Sequence, residues 1–327
     1  MEAAVIPSPG SVQVQLVNVP VPGDVEVLIQ VRFTGICGTD LHLLRGRARN
    51  AVYPLIPGHE FSGEVVATGV AAADIPLGTR VVAEGRAGTG FRRAGAFAEY
   101  VTVPREMVHV LPPGFDLEEA ALVDPLACAI HAVDQARLSP NERVVIIGQG
   151  SSGLCMLQAA RALVGCEVAV VDLREDRLAL SRQFGASLAL NPLTADALAT
   201  LKEWAGQDGV ACVLEATGQE SALEMAFRLP RRDGRIVVYG IAGQRSSVDI
   251  DQIVYNQLNV VGAVGSPGCW PRAIELLAQR KVNLHPMITR VMPLHALPDA
   301  FALLESGAGA IKVVIVPHDS HDEVGRS

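Results

Sequence analysis

The sequence RVVIIGQGSSG, residues 143–153, decides the fold of this 327-residue chain. Residues 144–147 are strand-forming, and the glycines after them have the spacing GxGxxG. A helix-compatible run follows over residues 154–163. Strand, glycine turn and helix therefore stand in the order of a dinucleotide-binding βαβ unit, although a glycine-rich turn alone is common in proteins.

Each glycine of this turn has a physical task. Gly148 permits the tight turn, Gly150 lets the backbone approach a pyrophosphate, and Gly153 lets the helix pack closely on the strand. Ser151 and Ser152 begin the helix, where free N–H groups and the helix dipole attract an anion. We therefore expect these five residues to bind the cofactor.

Asp172 predicts which dinucleotide is bound. It follows the second strand, residues 167–171, and lies 19 residues after Gly153. A carboxylate there accepts hydrogen bonds from the adenosine ribose and repels a 2'-phosphate, which favours NAD over NADP. Arg174 and Arg177 lie nearby and act in the opposite direction. A helix cap is the structural alternative for Asp172.

The alternation of apolar strand and amphipathic helix continues after this unit and predicts an α/β fold with a doubly wound parallel sheet. Thr217 and Gly218 follow a strand, so we expect them at the carboxyl edge of the sheet, where a dinucleotide lies. The predicted strands are 144–147, 168–171, 210–214 and 235–238, and the predicted helices are 154–163, 176–184 and 222–228.

The chain before this region has short β-branched runs broken by glycine and proline, which predict an irregular, strand-rich domain. Its expected strands are 25–31, 62–68, 80–83 and 97–103, and further strands at 288–291 and 312–316 could rejoin it. We predict a first domain over 1–139, a nucleotide-binding domain over 140–281, a return to the first domain over 282–316 and a loose tail over 317–327.

Composition narrows the function. Hydrophobic residues make up 49% of the chain, and its net charge is -8, so a globular protein with small-molecule partners is expected rather than one that binds nucleic acid. No apolar run approaches the roughly 20 residues that would cross a membrane. The N-terminus lacks a basic, apolar leader, and the six cysteines have no CxxC spacing, so we expect a cytoplasmic protein.

Metal-ligating residue types occur in two short segments of the first domain. Cys37 lies in GICGTDLH, residues 35–42, and His59 and Glu60 lie in GHE, residues 58–60. Thiolate, imidazole and carboxylate are ligands that zinc accepts in an open, catalytic site. Taken alone, a cysteine and a histidine at this separation are more often packing residues, so the pattern by itself leaves both readings open.

Across nearly its whole length, the sequence resembles the zinc-dependent medium-chain dehydrogenases, which include alcohol, sorbitol and threonine dehydrogenases. The resemblance implies a GroES-like β-rich catalytic domain, a Rossmann domain, and hydride transfer between NAD and a secondary alcohol such as a polyol, a cyclitol or a 3-hydroxy amino acid. It rests on GICGTD (35–40), PGHEFSGEV (57–65), GAFAEY (95–100), VDPLACAIHA (123–132), GQGSSG (148–153) and IKVVI (311–315).

The resemblance also implies a ligand set. Cys37 and His59 would hold a catalytic zinc, and Glu60 would be either a direct ligand or a close neighbour that exchanges with water. The third position is acidic in polyol and threonine dehydrogenases, and Asp124 matches it. Cys128, one helical turn later, is the alternative, but Asp124 precedes a proline at the expected start of a helix, where a carboxylate can face the site.

Other residues match supporting roles in that family. Thr39 and His42 would relay the proton of the alcohol, with Glu60 beside them, and Arg177 would contact the adenosine end of the cofactor. Asp40 would orient His59 through its second ring nitrogen. Each of Thr39, His42 and Asp40 could instead be an ordinary residue of its loop.

One departure from the family is visible. Residues 83–96 contain no cysteine, so we expect one catalytic zinc per chain and no structural zinc. A zinc-free enoyl or quinone reductase of the same superfamily is the alternative enzyme, although it would not need the metal-ligating residues. A homodimer or homotetramer is expected, with the strand at 260–264 extending the sheet across a two-fold axis.

Overall fold

The protein is described by a computed structural model that covers residues 1–48, 51–307 and 309–318. It divides into two compact units, one of Met1–Asp124 together with the chain from Leu284 onward, and one of Pro125–Asn283. From residue 319 onward, the tail that we predict to be loose lies outside the described residues.

The secondary structure follows the two patterns of the sequence. The chain begins with β1 (Glu2–Val5), β2 (Gln13–Leu16), β3 (Glu26–Gly35), α1 (Gly38–Leu44), β4 (Glu60–Thr68), β5 (Arg80–Ala83), β6 (Tyr100–Pro104), β7 (Val108–Val110), α2 (Leu117–Ala120) and α3 (Val123–Ala136). It continues with β8 (Arg143–Ile147), α4 (Ser151–Leu163), β9 (Glu167–Val171), α5 (Glu175–Gln183), β10 (Leu188–Leu190), α6 (Ala197–Ala205), β11 (Val210–Glu215), α7 (Glu220–Arg228), β12 (Pro230–Val238), α8 (Asp251–Asn256), β13 (Asn259–Gly262) and α9 (Trp270–Ala278). It ends with β14 (Ile288–Pro293), α10 (Leu297–Ser306) and β15 (Lys312–Val316).

The second unit contains the predicted parallel sheet. Within the described residues, its strands have the order β10-β9-β8-β11-β12-β13, and every neighbouring pair is parallel. Val145, Val213 and Ile236 of this sheet are fully buried, as expected for strands covered by helices on both faces. The chain order reverses between β8 and β11, which places a ligand crevice at their carboxyl ends. The doubly wound fold is confirmed.

The first unit contains a mostly antiparallel sheet. Its order, among the residues that the structure covers, is β14-β15-β3-β4-β5-β7, with β6 also paired to β3. The register sets Gly35 opposite both Glu60 on β4 and Val314 on β15. The end of β3, the start of β4 and the start of β15 therefore meet at one place. One apolar cluster holds β3 against β4, and a second cluster contains Val313 and Ile315 of β15.

Two local expectations were wrong. The segment with Thr39 and His42 is the helix α1 rather than a loop, because Cys37 is its N-cap and Asp40 accepts a hydrogen bond from the Cys37 backbone. β6 begins at Tyr100 rather than at residue 97, because the Phe97 amide donates to Pro57 in the segment before His59. β10 and α6 were not predicted, and β10 has only three residues.

The first two residues of the predicted tail, Pro317 and His318, lie among the described residues. His318 Nδ1 lies 3.3 Å from a carboxylate oxygen of Glu99, and its ring packs edge-on against Tyr100. In the part of the chain that the structure describes, no helix combines the length and the apolar character needed to cross a bilayer.

Candidate metal and nucleotide sites

Three potential metal ligands converge in the first unit. One donor atom each from Cys37, His59 and Glu60 lies within 4.8 Å of the other two, and among the described residues this is the only group of three such side chains. His59 and Glu60 are buried, and Cys37 is half-buried. Cys37 follows β3 and Glu60 begins β4, so the pairing of these strands brings the ligands together. The donor set of thiolate, imidazole and carboxylate fits zinc.

Asp40 ties the two ligand segments to each other. Its carboxylate accepts hydrogen bonds from the backbone amides of Cys37, at 2.9 Å, and Gly58, at 3.2 Å. Its Oδ1 also lies 3.7 Å from Nδ1 of His59. Because Asp40 faces Nδ1, the other ring nitrogen of His59, Nε2, is left for a metal. This geometry supports the orienting role predicted for Asp40.

The pocket strongly favours a cation. Burial is the largest single effect on His59 and lowers its pKa, but Asp40, Cys37 and Asp124 together outweigh burial and raise that pKa to about 10. The negative groups around the imidazole would therefore hold a proton there in the absence of a metal. A divalent cation can replace this proton, and metal ligands in proteins commonly release protons in this way.

Glu60 is also bound to a buried lysine that sequence reasoning missed. Lys312 Nζ lies 2.6 Å from Glu60 Oε2 and donates a hydrogen bond to Ile36 O at 2.9 Å. Both charged side chains are 3% exposed. Gly35 leaves the room for this pair, because a Cβ there would lie 2.7 Å from the same carboxylate oxygen. The sequence signal was a lysine that opens the apolar strand β15, whose pairing partner the sequence did not reveal.

Thr39 and His42 lie one turn apart on α1. Thr39 Oγ1 lies 3.6 Å from Cys37 Sγ. His42 Nδ1 is buried and has no hydrogen-bond partner among the described residues. Burial, followed by the positive charges of Arg45 and Arg47, lowers the pKa of His42 below its ordinary value. His42 is therefore neutral at pH 7 and able to accept a proton.

The two candidates for the third ligand both lie on α3. Asp124 is in the first turn of that helix, and its charge acts on the His59 ring, but it is not one of the three converging ligands. Cys128 is one turn later and half-buried. The contacts within the first unit thus place Asp124 near the metal ligands without choosing between the two residues.

The glycine turn of the second unit has the conformation that its sequence requires. Gly148 has φ +94°, and a Cβ at this position would overlap the side chain of Thr217. A Cβ on Gly153 would overlap the carbonyl oxygen of Gly148, so close packing needs glycine there. Ser151 and Ser152 begin α4, and Ser151 Oγ is buried without a hydrogen-bond partner in the described residues. An unsatisfied hydroxyl beside a helix N-terminus fits a bound phosphate group.

Asp172 stabilises the glycine turn through hydrogen bonds to backbone amides. Its carboxylate accepts hydrogen bonds from the backbone amides of Gln149, at 2.6 Å, and Arg174, at 2.9 Å. Arg177 Nη1 lies 3.8 Å from it. Gln149, which sequence reasoning missed, is fully buried and accepts a hydrogen bond from Ser181 at 3.0 Å. Hydrogen bonds of Asp172 and Gln149 within the protein thus stabilise the glycine turn.

Glu215 is a second residue that the sequence did not single out. It ends β11, is fully buried, and accepts hydrogen bonds from the amides of Thr217, at 2.7 Å, and Gly218, at 3.0 Å. It therefore shapes the turn that brings Thr217 against Gly148 at the carboxyl edge of the sheet. The signal was an acidic residue that closes an otherwise apolar strand, VACVLE.

Comparison with known proteins shows the family to which both parts of the chain belong. The family model described as the alcohol dehydrogenase GroES-like domain matches residues 23–113, and the one described as zinc-binding dehydrogenase matches residues 153–279.

Individual relatives match over most of their length. The D-arabitol-phosphate dehydrogenase of Enterococcus avium is 32% identical and covers 94% of this chain and 95% of its own. The L-threonine 3-dehydrogenase of Streptomyces coelicolor is 36% identical, with 92% and 95% covered. A Sinorhizobium meliloti structure, described as a zinc-binding dehydrogenase bound to NADP, matches with a TM-score of 0.90, 31% identity, and 97% and 99% covered.

Proposed function

We propose, because the chain belongs to the zinc-dependent medium-chain dehydrogenase family, that it oxidises a secondary alcohol that carries a neighbouring polar group, such as a polyol, a cyclitol or a 3-hydroxy amino acid. It is a zinc-dependent alcohol oxidoreductase with a nicotinamide cofactor. The proposal rests above all on the convergence of Cys37, His59 and Glu60, whose donor atoms lie within 4.8 Å of one another. Relatives that act on a polyol phosphate and on threonine support the substrate class.

Within the proposal, each residue has a chemical role. Zinc, when bound, supplies a Lewis acid that lowers the pKa of the alcohol, and the nicotinamide supplies the hydride acceptor. Cys37 and His59 would hold the metal, with Asp124 as third ligand and Glu60 as a ligand or close neighbour. Thr39 would take the proton of the alcohol, and His42, which is neutral at pH 7, would pass it to solvent.

The alternative of a zinc-free enoyl or quinone reductase is not favoured. Such an enzyme has no use for a thiolate, an imidazole and a carboxylate within 4.8 Å of one another.

Metal analysis combined with a substrate panel tests the proposed function. We expect one zinc per purified chain and reduction of NAD with members of a panel of polyols, cyclitols and 3-hydroxy amino acids. Removal of the metal with a chelator should abolish the activity, and added zinc should restore it. A metal-free protein with full activity would contradict the proposed function. A zinc content of two per chain would contradict the expectation of a single zinc site.

Cofactor choice gives a separate prediction, in which Asp172→Ser raises the ratio of kcat/KM with NADP to kcat/KM with NAD. A carboxylate beside a 2'-phosphate costs several kcal/mol, so we expect a rise of about 10- to 100-fold. The guanidinium of Arg177, 3.8 Å from Asp172, would lie close to that phosphate and attract it. Activity with NAD should fall as well, because Asp172 also holds the Gln149 amide.

The exposed Asp208 of the same unit provides the control for that change, since Asp208→Ser removes one charge at a distance from the glycine turn. Its cofactor ratio should match that of the unsubstituted protein. An unchanged ratio in Asp172→Ser would mean that Asp172 only supports the turn and that the preference for NAD has another origin.

Two variants decide the third ligand. We expect Asp124→Asn to weaken zinc binding by more than about 100-fold, because it removes an anionic ligand. Changes to residues that contact only a ligand weaken metal binding by about 10- to 100-fold. Cys128→Ser should leave zinc binding unchanged. The measurement is competition for zinc with a chromogenic chelator. The opposite result, with the loss in Cys128→Ser, would assign the third position to Cys128.

Assembly and location complete the proposal. We propose a homodimer or homotetramer in the cytoplasm. β13 is the last strand of its sheet, with Val264 beyond it 76% exposed, which supports extension of the sheet by a second copy. None of the six cysteines, which all lie among the described residues, forms a disulfide, which is typical of a reducing compartment. Light scattering that finds a monomer at working concentration would exclude the proposed assembly.

A further inference from the structure

Residues 84–96, hereafter the Phe91 loop, pack directly on the segment that carries His59. The loop closes on itself, because the carbonyl of Gly88 accepts hydrogen bonds from the amides of Phe91, Arg92 and Arg93 at 2.8–3.0 Å. Its far end is bound to the His59 segment, since the amide of Gly95 donates to Ile56 at 2.8 Å. This stretch is the one that lacks the cysteines of a structural zinc site, and backbone hydrogen bonds shape it.

The loop meets His59 on two sides. A Cβ on Gly85 would lie 3.1 Å from the Cβ of His59, so glycine allows the closest approach there. The ring of Phe91 lies on the imidazole with centroids 4.8 Å apart and planes inclined by 36°. Asp40 faces the Nδ1 edge at 3.7 Å. The ring of His59 is therefore enclosed on its face, at its base and along one edge.

An apolar cluster also contacts Phe91. The buried members of this cluster are Ile6, Leu43 and Leu55. Tyr53 belongs to the same cluster, and its hydroxyl donates to the carbonyl of Leu43 at 2.5 Å. Phe91, which is half-buried, thus contacts both the apolar cluster and the imidazole, so moving it away from the ring would cost its packing on the cluster.

We propose that Phe91 is a positioning residue of the metal site, which fixes the plane of the His59 ring so that Nε2 stays directed at the metal. The proposal rests on the proposed function, since it assumes that His59 is a ligand. Release of a metal requires a ligand to swing away, and His59 cannot turn about its χ angles without displacing Phe91. Residues that orient a ligand commonly change metal affinity by 10- to 100-fold when they are lost.

The test follows zinc release rather than activity. Zinc-loaded Phe91→Ala should transfer its metal to a chromogenic chelator about 10-fold faster than the unsubstituted protein. This is the lower end of the 10- to 100-fold range, because Phe91 packs against the ligand without a hydrogen bond to it. Phe91→Tyr keeps the ring face and should release zinc at the original rate. Phe115→Ala, which removes the same side chain from the turn before α2 in the same unit, is the matched control and should also keep the original rate.

A spectrum separates positioning from general stability. The cobalt(II)-substituted Phe91→Ala protein should show shifted d–d bands, because the imidazole coordinates at a changed angle, whereas cobalt-substituted Phe115→Ala should not. If Phe91→Ala unfolds, Phe91→Leu keeps the cluster filled but removes the aromatic face, and it should show the same direction of change.

Failure of the inference and failure of the proposed function are distinguishable. Stoichiometric zinc with unchanged release and unchanged cobalt bands in both Phe91→Ala and Phe91→Leu would overturn the role of Phe91 alone. An unsubstituted protein that binds neither zinc nor cobalt would overturn the proposed function together with this inference. Equal acceleration in Phe115→Ala would also overturn it, since the effect would then reflect stability.

Discussion

Replacing Cys37 with alanine is expected to lower kcat/KM for the alcohol by at least about 1,000-fold. Loss of a metal Lewis acid removes several kcal/mol of transition-state stabilisation, and about 1.4 kcal/mol corresponds to tenfold in rate. The fold should survive, because the hydrogen bond from residue 37 to Asp40 uses the backbone amide. Steady-state kinetics with a substrate found in the panel and zinc analysis of the same preparation provide the measurement.

Cys166→Ala is the matched control for that prediction. Cys166 is a buried thiol of the other unit and is remote in sequence from the metal ligands. Its replacement should change the temperature of unfolding without altering zinc content or kcat. Full zinc occupancy and near-normal kcat in Cys37→Ala would mean that the metal is held by other residues.

Lys312→Met is expected to lower the free energy of unfolding of the metal-free protein by about 3–5 kcal/mol, the cost of breaking one side of a buried ion pair. Lys312 and Glu60 are each 3% exposed, so the remaining carboxylate would stay buried without the ammonium group that it pairs with. The lysine also supports the backbone before Cys37 through its bond to Ile36 O. Urea unfolding of the two proteins measures the difference.

Two further variants make this prediction specific. Lys281→Met removes an exposed lysine and should change the free energy of unfolding by less than about 0.5 kcal/mol. Lys312→Met combined with Glu60→Gln should be more stable than the sum of the two single changes implies, since the uncompensated charge is gone. A loss below about 1 kcal/mol in Lys312→Met would show that the pair contributes little to the fold.

The central strands of the nucleotide-binding unit and the glycine turn could be predicted because their signals are local, whereas β10 and α6 were missed. Strand, glycine turn and helix each depend on residues within a few positions of one another. Gly148 must be glycine because its φ is positive, and Gly153 must be glycine because the backbone of Gly148 packs against it. Gln149 and Glu215 escaped prediction, because a polar residue that satisfies backbone amides inside a turn looks like any other variable position in the sequence.

For the candidate metal site in the first unit, the sequence predicted the types of ligand but not their arrangement in space. Cys37, His59 and Glu60 were selected for their chemistry and for motifs that resemble a family. Whether they meet depends on the pairing of β3 with β4, which no short-range pattern encodes. The helix α1 was read as a loop, because its first turn is stabilised by Asp40 through a hydrogen bond rather than by apolar periodicity.

The sequence by itself determined the doubly wound sheet, the glycine turn and the family. Periodicity, backbone freedom and motif spacing each depend on residues that lie close together in the chain. Only the tertiary structure decided what surrounds the ligands, with Lys312 beside Glu60 and Phe91 upon His59. Glu60 and Lys312 are 252 residues apart in the chain. Their contact exists because β15 and β4 flank β3, and the burial of a whole sheet face, rather than any local signal, sets that order.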